Sequence, residues 1–327
     1  MISRTLSRVA TAISGRSVRR AVRRWVLGRP GDDGSRPSRK AGRYVWSIGI
    51  YAGDAWTSLA PLPGATNPVL TGGSVSDVPA RYVADPFMLR VDRVWHMFFE
   101  VMNHRTGRGA VGLAASADGR KWTYERIVLA EPFHLSYPYV FEHRGDYYMI
   151  PECSTSRSVR LYRARPFPWR WSLAATLLEG PCLLDASVVR YGGKWWLFVE
   201  TNPELSYDTL RLFYADALTG PWREHPESPI VRGDPRIARP AGRIVVAGDR
   251  VVRYAQDCSR AYGTAVHALE VLELTPRSYR ERPACPDPIL QGSGAGWNES
   301  GMHHVDPHAL SDGRWVACVD GWYRSEA

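Results

Sequence analysis

Among the 327 residues there are only five cysteines, Cys153, Cys182, Cys258, Cys285 and Cys318, and no two form a CxxC pair. An odd, widely spaced set excludes a disulfide framework and a zinc ribbon, and reads as reduced thiols in a cytoplasmic setting. No apolar run has the length needed to cross a bilayer. Arginines interrupt the N-terminus where a secretory signal needs a continuous apolar stretch, and the twin arginines of "RRAVRRWVLG" are followed by no apolar core. The chain also lacks a GxxxxGK[ST] loop and a strand-borne GxGxxG, the two common phosphate cradles. Helical periodicity is nearly absent beyond residue 44, which excludes a helical bundle. No Ser-His-Asp set can be assembled from the order of residues alone.

What is abundant is aromatic and turn-forming: 13 Trp, 16 Tyr, 24 Pro and 29 Gly, the composition of many short strands joined by turns. Charge is segregated. Residues 1–43 carry 12 Arg or Lys against Asp32 and Asp33, a net +10, so with a total of +9 the remainder comes to about −1 and is close to neutral. A near-neutral body argues against nucleic acid as a partner. Within residues 1–27, Leu6, Val9, Ile13, Val18, Val22, Trp25 and Val26 recur at three- to five-residue steps with arginines between them. That pattern predicts a basic amphipathic segment suited to an anionic membrane surface, which would place the protein at the inner face of the membrane. A disordered arm, or a helix packed on a partner, is the alternative. "GRPGDDGSRPSRKAGR" reads as a linker, giving a basic tail over 1–43 and one folded domain over 44–327.

The body repeats. "ADPFMLRVDRVWHMFFE" (84–100) aligns without gaps to "SYPYVFEHRGDYYMIPE" (136–152) and "LDASVVRYGGKWWLFVE" (184–200). Looser copies are "ARPAGRIVVAGDRVVRYAQ" (238–256) and "VDPHALSDGRWVACVD" (305–320). Each copy is a strand, a turn and an aromatic strand, followed by two further strand-like segments. Four antiparallel strands per repeat predict an all-β, five-bladed β-propeller. The fifth copy runs short, and "RYVWSIGIYAGD" (43–54) is expected to supply the strand that closes the ring. First strands of propeller blades line the central channel. The alignment therefore predicts a ring of Asp85, Tyr137, Asp185, Arg239 and Asp306, and a second set of Glu100, Glu152 and Glu200 with Gln256 and Asp320 as partial counterparts.

Paired carboxylates suit glycosidic chemistry, one protonated to assist the leaving oxygen and one ionised. Turn and cap roles repeated by duplication are the competing explanation, but they do not account for Tyr137 and Arg239 in the same register. In "MHHVDPH", His304, Asp306 and His308 share one face of a strand and could orient a sugar; histidines lining a polar channel are more often metal-free, and neither metal nor cofactor is expected. Trp297, in "GSGAGWNESG", is a candidate for stacking on a sugar ring.

"YVADPFML", "SADGRKW" and "YADALTGPWREH" resemble the five-bladed propellers of glycoside hydrolase family 43 and related invertase-like enzymes. The longer runs "EPFHLSYPYVFEHRGDYYMIPE", "LYRARPFPWRW", "RPAGR", "AQDCSRAYG" and "HHVDPHALSDGRWVACVDG" are similar to the N-terminal propeller of plant glucosamine inositolphosphorylceramide transferases, over about residues 44–323. The hydrolase resemblance implies Asp85 as general base and Asp185 as the carboxylate that tunes the acid, with Glu152 or Glu200 as the acid. Tyr137 departs from the hydrolase pattern. The plant resemblance implies sugar transfer by a separate glycosyltransferase domain, and hence a glycosyltransferase partner. Two expectations follow: a carbohydrate-active enzyme working on a surface glycan or glycolipid, with Arg239 binding an anionic group, or a non-catalytic glycan-binding module beside a glycosyltransferase.

Overall fold

The computed structural model describes residues 43–325. The basic segment at residues 1–27 lies outside them. Three inner hairpins repeat one design. Val91 pairs with Val94, His143 with Asp146 and Tyr191 with Lys194, so each turn has two residues. Those residues, Asp92–Arg93, Arg144–Gly145 and Gly192–Gly193, all have positive φ. This is the turn whose twist matches the flanking strands. The same three hairpins share a bulge near their start. Ala84, Ser136 and Leu184 stand opposite Glu100, Glu152 and Glu200, and one extra residue follows in the first strand before pairing resumes at Phe87, Tyr139 and Ser187. The residues thrown out are Asp85, Tyr137 and Asp185, with φ of 52°, 45° and 49°.

Five antiparallel sheets result. Blade one comprises Ala80–Val91, Val94–Asn103, Arg108–Ser116 and Thr123–Leu129; blade two comprises Ser136–His143, Asp146–Glu152, Ser158–Ala164 and Trp171–Glu179. Blade three runs from Leu184–Tyr191 through Lys194–Glu200 and Thr209–Ala215 to Arg223–Glu224, and blade four from Val245–Ala247 through Arg250–Asp257 and Ala265–Leu274 to Tyr279–Pro283. Blade five joins the first and last of the described strands. Val305–Ala309 and Trp315–Ser325 pair in sequence order, and Arg43–Ala55 then lies against Trp315–Ser325 from Arg43–Ser325 to Gly53–Trp315. Ser58–Pro61 completes that sheet. The expected closing strand is therefore present, and the ring is a five-bladed propeller.

Apolar side chains are buried mainly between blades. One cluster joins blades one to three through Phe98, Tyr139, Leu161 and Val188, and another joins blades three and four through Trp196, Leu212 and Val251. Blades four and five meet through Tyr254, Val266 and Val319, and blades five and one through Ile50, Met97 and Cys318. Gly242 is where blade four's inner segment crosses closest to blade five. Its φ is 133°, and a Cβ there would lie 1.7 Å from the Val305 carbonyl oxygen, so only glycine fits.

Candidate functional site

Four of the five predicted ring positions reach the channel mouth or its floor, but the register of the fifth copy is not the predicted one. Asp306 pairs with Cys318, two residues before Asp320, as Phe87 pairs with Phe98, two residues before Glu100. It therefore sits deeper than Asp85. The reason is that blade five's extra residue falls between Gly301, which bridges Trp322, and Val305, which pairs with Val319. His303 consequently takes the place beside Asp85 instead of Asp306, while His304 turns inward. Asp306 accepts from Met88 N (2.6 Å), Arg243 Nε (2.5 Å) and His308 Nε2 (2.9 Å), which places it and His308 in a separate internal lock. The Arg243 guanidinium beside it holds its carboxyl well below the usual range against the effect of burial.

Trp297 also stands apart from the acids. Its ring lies over Gly49 and Gly321 of blade five, where a Cβ would come within 2.7 and 2.9 Å of it, and it packs on the apolar cluster between blades four and five. Tyr137 forms a floor. Its hydroxyl meets Ser187 Oγ (2.8 Å) and the Gly242 backbone, donating to the carbonyl (3.1 Å) or accepting from the N–H (2.6 Å). Its ring packs edge-on against Phe87 and His304. His304 is fully buried there, neither ring nitrogen has a hydrogen bond, and burial pushes it down to about 4, so it is neutral.

Above that floor is a buried polar cluster. Asp85 is 6 % exposed. Its N–H donates to Asp320 Oδ2 (2.9 Å), its Oδ2 accepts from Tyr137 N (3.2 Å), and its Oδ1 lies 3.5 Å from His303 Nε2. Burial raises it to about 7; His303 opposes that rise and the Asp320 and Asp185 charges add to it. Asp185 accepts from Arg239 Nε (2.6 Å) and from Gln256 Nε2 (2.8 Å), so blades three and four are joined at this point. Arg239 has one guanidinium nitrogen, Nη1, buried without a hydrogen bond. Its guanidinium carbon sits over the rings of Tyr207 (4.6 Å) and Tyr262 (5.0 Å). These two half-buried tyrosines, on the 201–208 and 258–264 loops, cover the cluster.

The three glutamates at or near the ends of the second strands are buried, yet differ in use. Glu152 is committed at both oxygens, to Ser136 Oγ (3.0 Å) and Ser154 N (2.7 Å). Glu100 Oε1 faces His134 Nε2 at 3.4 Å. Glu200 accepts from Asn202 N (2.9 Å), while its Oε2 has no hydrogen bond. Burial raises all three, Glu200 to about 7. Asp85, His303 and Asp320 bring their donor atoms within 4.8 Å of one another, but the imidazole already lies between the two carboxylates.

Sequence reasoning passed over Tyr207 and Tyr262, which lie on loops outside the repeat, and the pairing of His303 with Asp320. Asp320's place in the glutamate series was the available signal for the latter.

The comparisons agree with this architecture. The family model "Glucosamine inositolphosphorylceramide transferase 1, N-terminal" matches residues 39–322. Glucosamine inositolphosphorylceramide transferase 1 of Oryza sativa subsp. japonica is 36 % identical over 306 residues, covering 86 % of this chain and 40 % of the relative. Its counterpart in Arabidopsis thaliana is 34 % identical over 297 residues, covering 84 % of this chain and 39 % of the relative. The chain thus spans about two fifths of the length of these relatives. Among solved structures, the catalytic domain of the Coprinopsis cinerea GH62 α-L-arabinofuranosidase superposes with a TM-score of 0.56 at 10 % identity, covering 86 % of this chain and 97 % of that one. That likeness is one of fold. The chain belongs to the family of glucosamine inositolphosphorylceramide transferase 1 N-terminal domains.

Proposed function

We propose that the propeller is a carbohydrate-active domain acting on a glycosidic bond of a surface glycan or glycolipid, by transfer or hydrolysis. The observation that carries this reading is Asp85, a buried carboxyl brought to about 7 in a left-handed backbone conformation at the channel mouth. Ionised Asp85 takes the proton of the attacking hydroxyl, from water or an acceptor, as that oxygen bonds to the anomeric carbon. The bond from that carbon to the leaving oxygen breaks with its electron pair on oxygen, and a protonated glutamate supplies the proton. Glu200, with one oxygen uncommitted, suits the acid better than Glu152, whose oxygens are both engaged. Asp185 adds negative charge close to the acid and is held in place by Arg239 and Gln256.

The family name supports a glycolipid with an inositol phosphate, and Arg239 Nη1 is the cationic group suited to such an anion. Residues 1–27 would keep the domain on the cytoplasmic face of an anionic membrane, beside a glycosyltransferase partner. Tyr137 favours a second reading, a glycan-binding module without turnover, because its hydroxyl is spent on Ser187 and Gly242 where a second-blade carboxylate would otherwise stand.

The test is turnover of nitrophenyl glycosides, UDP-sugars and vesicles containing inositolphosphorylceramide by the full chain and by Asp85→Asn. Loss of roughly 10²-fold or more is expected for the variant; unchanged turnover eliminates Asp85 as base. For the tail, sedimentation with phosphatidylserine vesicles should fall when residues 1–40 are removed, and equal pelleting rejects membrane contact.

A further inference from the structure

The seam between the first and last blades contains a staple that the glycosidic reading leaves without a role. Asp85 adopts φ 52°, a left-handed conformation that a non-glycine residue keeps only where its surroundings impose it. The bulge sets it, as in blades two and three, and the turned-out Asp85 is held from the opposite edge of the seam by Asp320. One of its oxygens, Oδ2, accepts the Asp85 N–H at 2.9 Å. The other, Oδ1, accepts the His303 N–H (3.3 Å) and meets His303 Nδ1 at 2.7 Å. The far nitrogen of that imidazole, Nε2, is thereby turned to Asp85 Oδ1 at 3.5 Å. Trp46, on the closing strand, lies against the ring with centroids 4.1 Å apart, and Tyr262 approaches its edge at 5.3 Å. A cap for one N–H would need only Asp320. An imidazole held with both nitrogens facing carboxylates does more.

We propose that His303 and Asp320 are positioning residues for Asp85: Asp320 fixes the Asp85 backbone and aims the imidazole, and the imidazole holds the Asp85 carboxylate in place as a base. This rests on the reading of Asp85 as the base. Tyr262, on the 258–264 loop, faces both members of the pair. Asp185 from blade three and Arg239 from blade four, with Glu100 and Tyr82 from blade one, surround Asp85; His304 adjoins it on blade five. Burial works against the His303 proton, Asp320 and Asp85 favour it and Arg239 opposes it, with a net upward displacement. Neighbouring His304 is displaced the other way, down to about 4 by burial, so the two adjacent histidines are pushed apart.

Nitrogen NMR of the full chain labelled in its histidine rings tests this directly. His303 should titrate above the usual histidine value, and Asp320→Asn should move its midpoint down by about one pH unit or more. Asp85→Asn should move it in the same direction. An unmoved His303 midpoint in folded Asp320→Asn overturns the proposal. If that variant does not fold, His303→Gln serves with carboxyl-carbon NMR of Asp85. Loss of the imidazolium should raise the Asp85 midpoint, and where turnover is measurable the acid limb of kcat/KM should move to higher pH with it. An unchanged Asp85 midpoint overturns the proposal equally. These titrations need no substrate. A coupled His303 with turnover unaffected by Asp85→Asn would reject the glycosidic reading and keep the staple; lost turnover with uncoupled titrations would do the reverse.

Discussion

Two arginines four residues apart, Arg239 and Arg243, each bind an aspartate from another blade, and they are used differently. Arg243 is engaged at two of its guanidinium nitrogens. Its Nε reaches Asp306 (2.5 Å) and its Nη2 reaches the carbonyls of Val140 (2.9 Å) and Met88 (3.4 Å), while Asp306 in turn caps Met88 N and His308. Blades one, two, four and five are tied at one point by groups that satisfy each other. Arg239 binds Asp185 through Nε alone, leaves Nη1 without a hydrogen bond, and is roofed by two tyrosines on loops. A closed pair maintains the ring; a pair with an unused arm under a loop cover is the better place for a ligand. Burial alone does not separate them, since both aspartates are almost wholly inside. Completeness of hydrogen bonding does.

Breaking the closed pair should give the largest effect. Asp306→Ala strands Arg243 in the channel and is expected to lower unfolding free energy by about 3–5 kcal/mol, read by urea denaturation. A loss under about 1 kcal/mol would mean that Arg243 finds other partners and the lock is dispensable. The next effect sharpens the contrast through pH. Asp306 lies below its unfolded value, so the advantage of wild type over Asp306→Asn should be complete above about pH 4 and fade as pH falls further. Asp85 lies above its unfolded value, up to about 7, so ionisation weakens the fold there. Asp85→Asn should match wild type below about pH 4 and gain on it as pH rises to about 7, by on the order of 2 kcal/mol. Slopes of the same sign for the two variants would abolish the distinction between lock and site. The smallest effect belongs to Arg239→Lys, which keeps the charge but loses the planar face over Tyr207 and Tyr262. Its stability cost should be about 1 kcal/mol, with a much larger loss in affinity for an anionic glycan in calorimetry. The reverse ordering would make Arg239 a second lock.

How far the sequence reached follows from which features are local. The inner hairpins were legible because a two-residue turn and a terminal glutamate recur at fixed spacing in blades one to three, and there the alignment placed Asp85, Tyr137 and Asp185 in one structural register. It slipped at Asp306, because the extra residue of blade five lies upstream of the aligned run, between Gly301 and Val305. A repeat read by residue type cannot locate a bulge displaced by a few positions. The cover was illegible for another reason: Tyr207 and Tyr262 lie on loops that repeat nowhere else, and only the fold carries them over Arg239. The Asp92–Arg93 turn and Trp297 show the same contrast in miniature. The first was marked by its neighbours in the chain, while the second is explained by glycines at 49 and 321 that no motif connects to it.

The strand that closes the ring has a consequence in time as well as in space. Asp85 is held by Asp320, 235 residues later, and the blade carrying Asp320 is finished only when Trp315–Ser325 meets Arg43–Ala55. A ribosome would have released nearly the whole domain before those partners could meet, since a contact so distant in sequence forms only after the intervening chain exists. The contact between Asp85 and Asp320 therefore forms only after all the blades between them exist. Until then Asp85 lacks the partner that holds its N–H across the seam.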